Sequence, residues 1–441
     1  MHFDEALRYL LSLGHETLAI KLGLRNTELL LDALGNPQTS YPAVQIAGTN
    51  GKGSTAVVLE AICRAAGIKT GLFTSPHLVS ITERIKLNGC DISQADFARL
   101  TTEVRNAARQ LVDNAVIEAL PTFFEHVTAI AFLAFKEAQI DLAILETGLG
   151  GRLDSTTTAR AKTVAITLIG LDHQEYLGET LTEIAAEKAA IIRPGVTVLI
   201  APQPQEALDV IMRQCESCGV ISNVDDCTAK VLGATEDGRL RVTFETERDR
   251  YEDVLLGLRG RHQVVNVSLA IRLAETLRER GFAIPPTAIV KGIETANHPG
   301  RLELRDGRPR LLFDGAHNPA GARALRDYLD EFISVPVTLV FGAMRDKNLG
   351  EMGTILFPAA ERLILTQLDN PRAAALETLE RVASRVIYSH RITLAASSRE
   401  AISLAQERAS ADGLICFTGS LYLIGEVQML LPKIATAKVA K

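Results

Sequence analysis

The sequence predicts an α/β protein with a larger domain on a mainly parallel sheet and a smaller, Rossmann-like C-terminal α/β domain. Over the first 300 residues, short apolar runs alternate with amphipathic stretches, as in successive βαβ units. An apolar run at 43–48 leads directly into a glycine-rich loop and a helix-forming stretch. Four further strand-like runs, separated by helical stretches, follow residue 300. Together these observations favour two layered α/β units.

The predicted domain boundary lies at a Pro-Gly pair. A helical stretch at 286–296 ends at Asn297, and Pro299-Gly300 cannot continue it. A chain of 441 residues is long enough for two or three domains. We therefore expect one domain over residues 1–297 and a second over 298–441.

The predicted elements of the first domain include helices and strands in alternation. Helical periodicity indicates an amphipathic helix at 97–112, and an apolar stretch at 123–138 indicates a buried helix. The remaining predictions are strands at 43–48, 141–148 and 163–170, a helix at 54–67, and a hairpin at 228–246 with an Asp-Gly turn. In the second domain, strands are predicted within 310–317, 337–344, 361–368 and 413–420.

Composition excludes several classes of protein. A net charge of −6 does not favour broad nucleic-acid binding. The N-terminus lacks the pattern of a secretory signal, and no apolar run reaches the roughly 18–20 residues that span a bilayer. The expectation is a soluble cytoplasmic protein. Cys215, Cys218 and Cys227 lack a nearby fourth ligand, so incidental thiols are favoured over a zinc site.

The loop at 48–55 reads GTNGKGST and carries the parts of a phosphate-binding loop. Its spacing differs from the strict G-x-x-x-x-G-K-[ST] pattern, but glycines, a lysine and hydroxyls precede a helix. Backbone N–H groups and a helix N-terminus bind phosphates, and a hydroxyl binds Mg²⁺. The alternative is a glycine-rich turn without a ligand. The predicted phosphate contacts are Thr49, Asn50, Gly51, Lys52, Gly53 and Ser54.

Three polar side chains follow three other strand-like runs: Ser75, Glu146 and His173. Strand ends of a parallel sheet share one edge, where ligands bind. Each residue has an ordinary structural alternative, such as a turn residue or a helix cap. Their joint placement with Ser54 favours metal ligands beside a nucleotide.

Lys188 lies in a helix among alanines and isoleucines, where a buried amine is costly. A lysine on a solvated face is the ordinary interpretation. The functional alternative is a lysine of lowered pKa that reacts with CO₂ to give an anionic carbamate beside the metal.

Ten ordered segments closely resemble the folylpolyglutamate synthase branch of the Mur ligase superfamily, which includes bifunctional dihydrofolate synthase/folylpolyglutamate synthases. They occur in order across nearly the whole chain and read GTNGKGST, TSPHL, TFFE, ETGLGGRLDST, LDHQEYLG, EKAAIIRPG, RHQVVNVSLA, HPGRLE, DGAHNP and TGSLYLIGEV. Ser155 departs from this pattern, since many relatives have alanine there. The residues around His173 also vary, which leaves pterin preference open.

The resemblance implies ATP-dependent amide bond formation through an acyl phosphate, with glutamate as the amine. It implies two Mg²⁺ ions at Ser54, Ser75, Glu146 and His173, and carbamylation of Lys188. Asn266, Arg301 and Asp314 match nucleotide contacts, and His317 is a neighbour of the same site. Lys52, Lys188, His173 and Arg301 are the catalytic candidates.

The resemblance also implies a pterin-binding region. Thr122, Phe123, Phe124 and Glu125 match substrate positions, as do Leu153, Asp154 and Ser155. Aromatic rings stack on flat heterocycles, and a carboxylate accepts their N–H groups. Core packing of at least one phenylalanine is the better interpretation of the apolar helix alone. Ser420 is a candidate contact of the incoming glutamate.

Two other functions compete with this one. A Mur-type ligase for a cell-wall precursor usually has an extra N-terminal domain, for which the 42 residues before the first strand are too few. A P-loop regulatory ATPase would leave Glu146, His173 and the second domain unexplained. The expected partners are small molecules only, and the expected state is a monomer.

Overall fold

The computed structural model describes residues 1–14, 23–224 and 226–431. Its largest sheet has eight strands in the spatial order β4-β3-β2-β5-β1-β6-β7-β8. These strands are β1 (Ala43–Ala47), β2 (Thr70–Phe73), β3 (Ile85–Leu87), β4 (Cys90–Asp91), β5 (Leu142–Glu146), β6 (Thr163–Ile166), β7 (Thr197–Ile200) and β8 (Ser222–Val224). Within this sheet β3 and β4 run antiparallel to their neighbours and the other pairs are parallel, as predicted.

The register of the central strands places the predicted site at one edge. Ile46 pairs with Glu146, one residue before β1 ends, so the phosphate loop and the carboxylate leave the sheet side by side. The strand predicted at 163–170 ends earlier, at Ile166. The next residues bond to the phosphate loop instead, since Leu168 O accepts the N–H groups of Thr49 (3.0 Å) and Asn50 (3.1 Å).

Helices cover both faces of this sheet, and each face has its own apolar core. They are α1 (Phe3–Ser12), α2 (Arg25–Ala33), α3 (Lys52–Ala65), α4 (Gln94–Asp113), α5 (Phe123–Glu137), α6 (Gln174–Leu177), α7 (Leu181–Ala189), α8 (Gln205–Ser217), α9 (Gln263–Glu279) and α10 (Pro286–Thr295). Short 3₁₀ helices lie at Pro37–Thr39, Ile81–Arg84 and Ser155–Ala159. Burial of apolar side chains on both faces is the main stabilising term of such a sheet.

A second, antiparallel sheet has the order β11-β10-β9. It contains β9 (Thr228–Ala234), β10 (Arg239–Glu245) and β11 (Arg250–Arg259). The predicted hairpin at 228–246 is confirmed as β9 and β10. The third strand extends it, and Val254 and Leu256 of β11 are fully buried.

The C-terminal sheet has six strands in the order β12-β13-β17-β14-β15-β16, in which β12 is antiparallel to its neighbour. Its strands are β12 (Glu303–Arg305), β13 (Arg310–Asp314), β14 (Val337–Phe341), β15 (Arg362–Thr366), β16 (Ile392–Ala395) and β17 (Leu414–Thr418). Its helices are α11 (Pro319–Phe332), α12 (Leu349–Leu356), α13 (Leu376–Ala383), α14 (Ser398–Arg408) and α15 (Leu421–Leu430), with 3₁₀ turns at Phe357–Ala359 and Ser389–Arg391. This is the predicted second α/β layer, with cores on both faces.

No helix in the described part of the chain is both long and apolar enough to cross a membrane.

Candidate active site

The phosphate loop joins β1 to α3 through a left-handed turn. Gly51, the residue before α3, has φ of 92°, and a Cβ there would lie 2.2 Å from Asn266 Oδ1. Only glycine fits this position. The first N–H groups of any α-helix lack intrahelical acceptors, and in the 14-residue helix α3 no side chain caps them either. Such a helix end favours an anion.

Lys52 and Asn50 give the loop its side-chain donors. Lys52 Nζ donates to Gly48 O (3.0 Å) and Thr49 O (3.1 Å), so the ammonium group is bound by backbone carbonyls of the phosphate loop itself. Burial lowers the pKa of Lys52, and the charges of Glu146 and Asp172 oppose this shift. Asn50 Nδ2 is buried and has no hydrogen-bond partner among the described residues. An unsatisfied buried donor is costly, and a phosphate oxygen would satisfy it.

Glu146 is the buried carboxylate of the site, at the end of β5 and 6% exposed. Its Oε2 accepts the backbone N–H of Ser75 at 3.1 Å, and a Cβ on Gly53 would lie 3.3 Å from the same oxygen. Burial raises the pKa of Glu146, while the charge of Lys52, the Ser75 hydrogen bond and the charge of Arg301 lower it. The carboxylate is therefore adjacent to the phosphate loop and to two cations.

The donors around this carboxylate suit Mg²⁺. Ser54, Ser75 and Glu146 offer hydroxyl and carboxylate oxygens, which magnesium prefers. Across residues 1–14, 23–224 and 226–431, no group of three or more His, Cys, Asp or Glu side chains could hold a metal alone. Protein ligands therefore supply part of a coordination shell, and phosphate oxygens and water complete it in such sites.

His173 immediately precedes α6 and lines the same cavity as Glu146. The charges that act on the pKa of His173 are those of Asp172, Lys347, His317 and Lys188, and burial lowers this pKa to about 4. The charges that act on Glu146 come from Lys52, Arg301 and Arg84. The predicted metal ligands Ser54, Ser75, Glu146 and His173 therefore line one cavity.

Lys188 is buried in α7, with 5% of the residue exposed. Burial, together with the charge of Lys52, lowers its pKa to about 7. No hydrogen bond or ion pair joins its Nζ to another residue within the described ranges. A substantial fraction of this amine is therefore neutral, and nucleophilic, at neutral pH.

The C-terminal sheet contributes Arg301, Asp314 and His317 to the opposite wall. Asp314 accepts the N–H groups of Leu302 (2.9 Å) and Ala316 (3.0 Å), so it joins the segment before β12 to the segment after β13. Arg301 Nη1 donates to Gly315 O at 3.2 Å. His317 Nδ1 lies 2.7 Å from the same carbonyl oxygen, which places the guanidinium and the imidazole together.

Sequence reasoning missed a cluster around Asp172, which lies next to His173. Lys347 Nζ lies 2.6 Å from Asp172 Oδ1, and Asn318 Nδ2 donates to Asp172 Oδ2 at 3.2 Å. His317 Nε2 lies 3.5 Å from Asp172 Oδ2. Burial raises the pKa of Asp172, but the His317 hydrogen bond and the neighbouring positive charges leave it well below its usual value. Asn318 belongs to the DGAHNP segment, whereas Lys347 carries no sequence signal.

A second missed group lies around Ser54. Its Oγ is 3.3 Å from His298 Nδ1 and 3.3 Å from Gln263 Nε2. Gln263 Oε1 accepts from Asn266 Nδ2 at 2.9 Å, which ties Asn266 to the loop. His262 lies within 3.1 Å of Gln263 Nε2. His262, Gln263 and Asn266 lie at the start of α9, whereas His298 follows α10 at the predicted domain boundary.

The predicted pterin region begins at α5. Thr122 caps this helix, and Glu125 completes a capping box because its Oε2 accepts Thr122 N–H at 2.7 Å. Its Oε1 accepts from Thr27 Oγ1 at 3.0 Å, and that hydroxyl lies 3.2 Å from Ser155 Oγ. Both Glu125 oxygens thus have intramolecular partners.

The two phenylalanines of α5 have different environments. Phe124 lines the cavity, and its ring would lie 2.5 Å from a Cβ on Gly148. Phe123 is 4% exposed, belongs to the apolar core and lies beneath the Arg84 guanidinium, 5.4 Å from the ring centroid. Phe123 therefore packs in the core, as expected for at least one of the two rings: successive helical positions point in different directions, and only Phe124 reaches the cavity.

Asp154 and Ser420 each accept hydrogen bonds from backbone N–H groups of residues close to them in sequence. Asp154 Oδ2 accepts Leu149 N–H at 2.9 Å and Oδ1 accepts Thr156 N–H at 3.0 Å, so this carboxylate shapes the segment after β5. Ser420 is 2% exposed and caps α15 by accepting Tyr422 N–H at 3.2 Å. Both residues also line the cavity, as does Leu153.

One cavity of about 390 Å³ collects these groups. Every predicted site residue except Phe123 lines it. The wall formed by the first sheet carries the phosphate loop, Glu146 and Lys188, and the opposite wall carries Arg301, Asp314 and Ser420. A phosphate loop facing a second α/β layer with its own cation and carboxylate is the arrangement of an ATP-dependent Mur-type ligase.

Comparison with known families agrees with this class. The Mur ligase middle domain matches residues 46–274, and the Mur ligase glutamate ligase domain matches residues 300–421. The dihydrofolate synthase/folylpolyglutamate synthase of Bacillus subtilis is 35% identical over 423 residues, 95% of this chain and 97% of the relative. A probable bifunctional folylpolyglutamate synthase/dihydropteroate synthase of Halobacterium salinarum is 35% identical over 97% of this chain, which spans 51% of that relative.

Solved structures show the same likeness. The folylpolyglutamate synthase of Mycobacterium tuberculosis with ADP has a TM-score of 0.89 at 31% identity, covering 97% of this chain and 98% of that one. Escherichia coli FolC with DHPP and ADP has a TM-score of 0.86 at 29% identity, covering 98% and 97%. A bifunctional enzyme of this type with Mn, AMPPNP and L-glutamate has a TM-score of 0.83 at 27% identity, covering 97% and 98%. The chain belongs to the folylpolyglutamate synthase/dihydrofolate synthase family of Mur ligases and is an enzyme of the ATP-dependent ligase class. This family membership favours the ATP-dependent glutamate ligase over the P-loop regulatory ATPase.

Proposed function

We propose that this chain joins L-glutamate to dihydropteroate, to the glutamate tail of reduced folates, or to both. The observation that carries the proposal is the single cavity of about 390 Å³, which holds the phosphate loop, Glu146, Phe124 and Ser420 together. An acceptor carboxylate, a nucleotide phosphate and an amine must meet in one place for this reaction. The DHPP, ADP and L-glutamate in related structures support these three ligands.

The reaction has two steps. The acceptor carboxylate forms a bond to the γ-phosphorus of ATP and the bond to ADP breaks, which gives an acyl phosphate. The glutamate amine then attacks the acyl carbon, phosphate leaves, and the nitrogen loses a proton. Positioning and charge neutralisation supply most of the rate in such transfers. Lys52 and the N-terminus of α3 supply positive charge on one wall, and Arg301 supplies it on the other.

The nucleotide is held from both walls in this proposal. Thr49, Asn50, Gly51, Lys52, Gly53 and Ser54 contact its phosphates. The unsatisfied Asn50 Nδ2 and the uncapped N-terminus of α3 support this role. Asn266 lies against Gly51, while Arg301, Asp314 and His317 approach from the C-terminal sheet.

Divalent ions are the proposed cofactor, and the residues present fit them. Ser54, Ser75 and Glu146 would hold one Mg²⁺ ion, and His173 would contribute to a second near Lys188. Bound there, Mg²⁺ neutralises phosphate and carboxylate charge. Glu146 ends β5 and His173 follows β6, and β1 separates these two strands in the sheet, which supports two positions rather than one.

We also propose that Lys188 is carbamylated. The neutral amine attacks CO₂, an N–C bond forms, and loss of a proton leaves an anion. A pKa lowered to about 7 by burial supports this chemistry. The resulting anion would replace a costly buried cation with a partner for the adjacent positive charges.

The acceptor is proposed to bind between α5 and the segment after β5. Phe124 would stack on the pterin, with Thr122, Glu125, Leu153, Asp154 and Ser155 around it. Ser420 would contact the incoming glutamate. Domains at 1–297 and 298–441 and a monomeric state remain proposals, supported by one chain supplying both walls. Sedimentation at several concentrations tests the monomer.

The experiment measures ADP and phosphate release with ATP, Mg²⁺ and L-glutamate. Dihydropteroate is the acceptor in one sample and tetrahydrofolate in the other. Glutamylated products in both samples establish a bifunctional enzyme, and product from tetrahydrofolate alone narrows the function to folylpolyglutamate synthase. Phosphate release independent of either carboxylate contradicts the proposal.

A further inference from the structure

A continuous polar bridge joins the loops of the C-terminal sheet to the phosphate loop. Asn318 Nδ2 donates to Asn50 Oδ1 at 3.0 Å and to Asp172 Oδ2 at 3.2 Å. Lys347 Nζ donates to Asp172 Oδ1 at 2.6 Å. Asp172 Oδ1 also accepts the N–H of His173 at 2.9 Å. Asn318 and Lys347 of the C-terminal half therefore bind Asn50 and Asp172 of the N-terminal half.

The amide of Asn318 has only one orientation in this bridge. Its Oδ1 caps α11 by accepting Gly321 N–H at 2.8 Å, so its Nδ2 must face Asn50 and Asp172. Asn318 is also 3% exposed, which removes water as a competing partner. The donor is thus fixed before any ligand binds.

This orientation determines what Asn50 presents to the site. Because Oδ1 of Asn50 accepts from Asn318, its Nδ2 is turned the other way and has no partner among the described residues. Without Asn318, the Asn50 amide is free to flip and present an oxygen to the phosphates. A carbonyl oxygen there repels a phosphate, whereas an N–H group binds it.

Lys347 and Asp172 form the charged part of the bridge. Their side chains are 9% and 8% exposed, and their 2.6 Å contact is shorter than the contacts of Lys347 with Asp346 (3.8 Å) and of Asp172 with His317 (3.5 Å). Removing one partner of a buried pair leaves an uncompensated charge, and removing both does not. Substitution of Lys347 alone is therefore expected to disturb the contact between the two halves more than substitution of Lys347 and Asp172 together.

We propose that Asn318 and Lys347 are positioning residues, which act through Asn50 and Asp172 to set the phosphate loop and the His173 loop when the two halves are together. The inference rests on the proposed function only for its turnover measurements. Neither residue needs to touch a substrate for this role. Coupling of the two walls would make phosphoryl transfer depend on the position of the C-terminal half.

The first test is a double-substitution cycle with Lys347→Met, Asp172→Asn and the combined variant. We expect Lys347→Met to lower kcat by roughly 10- to 100-fold, with KM for ATP changed by less than about threefold. The combined variant should recover at least about threefold in kcat over Lys347→Met. If the combined variant is no better than Lys347→Met, Lys347 acts directly on a substrate and the proposal is wrong.

The second test uses Asn318→Ser, because serine preserves a helix cap but cannot reach Asn50. Affinity for a non-hydrolysable ATP analogue should fall by about tenfold, the cost of one charge-assisted hydrogen bond. Ser397→Ala is the control, since Ser397 caps α14 and contacts neither loop. Equal analogue affinity in Asn318→Ser and the wild type would overturn the proposal.

Small-angle X-ray scattering tests the bridge independently of the proposed function, because it measures the radius of gyration and needs no turnover. With the ATP analogue bound, Lys347→Met should have a larger radius of gyration than the wild type, and the combined variant should be intermediate. This measurement and the analogue affinities need no turnover, so they remain decisive if neither folate acceptor is used. An unchanged radius in Lys347→Met would contradict the bridge.

Discussion

The backbone N–H of Ser75 donates to Glu146 Oε2 at 3.1 Å, so the ends of β2 and β5 meet at one buried carboxylate. This hydrogen bond orients the carboxylate toward Gly53 and the phosphate loop. The orientation is set by backbone and sheet register rather than by a flexible side chain. A preorganised carboxylate of this kind loses little entropy when it binds a cation.

Glu146→Gln should weaken divalent metal binding with only modest loss of stability. The amide keeps the shape and can still accept the Ser75 hydrogen bond, but it lacks the charge. We expect Mn²⁺ affinity in the presence of AMPPNP to fall by about 10- to 100-fold or more. Electron paramagnetic resonance measures free Mn²⁺ directly. Glu60→Gln is the control, because Glu60 is a buried carboxylate paired with Thr70 and Arg64 away from the cavity.

Gly51→Ala should abolish tight nucleotide binding. The added Cβ would lie 2.2 Å from Asn266 Oδ1 and the residue has φ of 92°, so the loop must move. Gly67→Ala is the matched control, since Gly67 has φ of 82° but a Cβ added there would have nothing within 4 Å. Both variants should lose roughly 1–2 kcal/mol of stability from backbone strain. Calorimetric titration with AMPPNP should show a loss of affinity in Gly51→Ala alone.

Phe124→Ala and Phe123→Ala should separate binding from folding. Loss of the Phe124 ring should raise KM for the pterin acceptor by the equivalent of about 1–3 kcal/mol, as for stacked bases. Loss of the Phe123 ring should instead cost about 3–5 kcal/mol of unfolding free energy, because it leaves a core cavity. Urea unfolding and acceptor kinetics distinguish the two variants. Equal KM values in both would argue against stacking at Phe124.

Lys188 should make stability depend on pH in CO₂-free buffer. Burial lowers its folded-state pKa from 10.5 to about 7, so the unfolded chain binds more protons between these values. Its contribution to the unfolding free energy therefore becomes more favourable as pH rises through that window. At pH 7, Lys188→Met should be more stable than the wild type by on the order of 1–3 kcal/mol. Addition of bicarbonate should stabilise the wild type and leave Lys188→Met unchanged.

Local sequence pattern predicted the first sheet and the phosphate loop because strand, turn and helix signals follow one another within 25 residues at 43–67. It also placed Glu146 correctly at the end of a strand. The end of β6 was predicted too late, since apolar residues at 168–169 suit a strand equally well. Their backbone groups instead bind the phosphate loop, a tertiary contact that no local pattern encodes.

The Asp172 cluster shows why part of the site was missed. Asp172 and Lys347 are 175 residues apart in sequence, and neither lies in a spacing that predicts a pair. Phe123 and Phe124 illustrate a second limit. Adjacent apolar residues in a buried helix have the same composition signal, and only packing decides which ring faces the cavity.

The cavity draws its phosphate-side wall from residues before 270 and from His298, and its opposite wall from residues 301–422. During translation, the ribosome therefore releases a complete phosphate loop long before Arg301, Asp314 and Ser420 emerge. A chain that ends ahead of β12 also lacks Asn318, whose amide orients Asn50 in the phosphate loop. The site is therefore complete only after the last third of the chain has been synthesised.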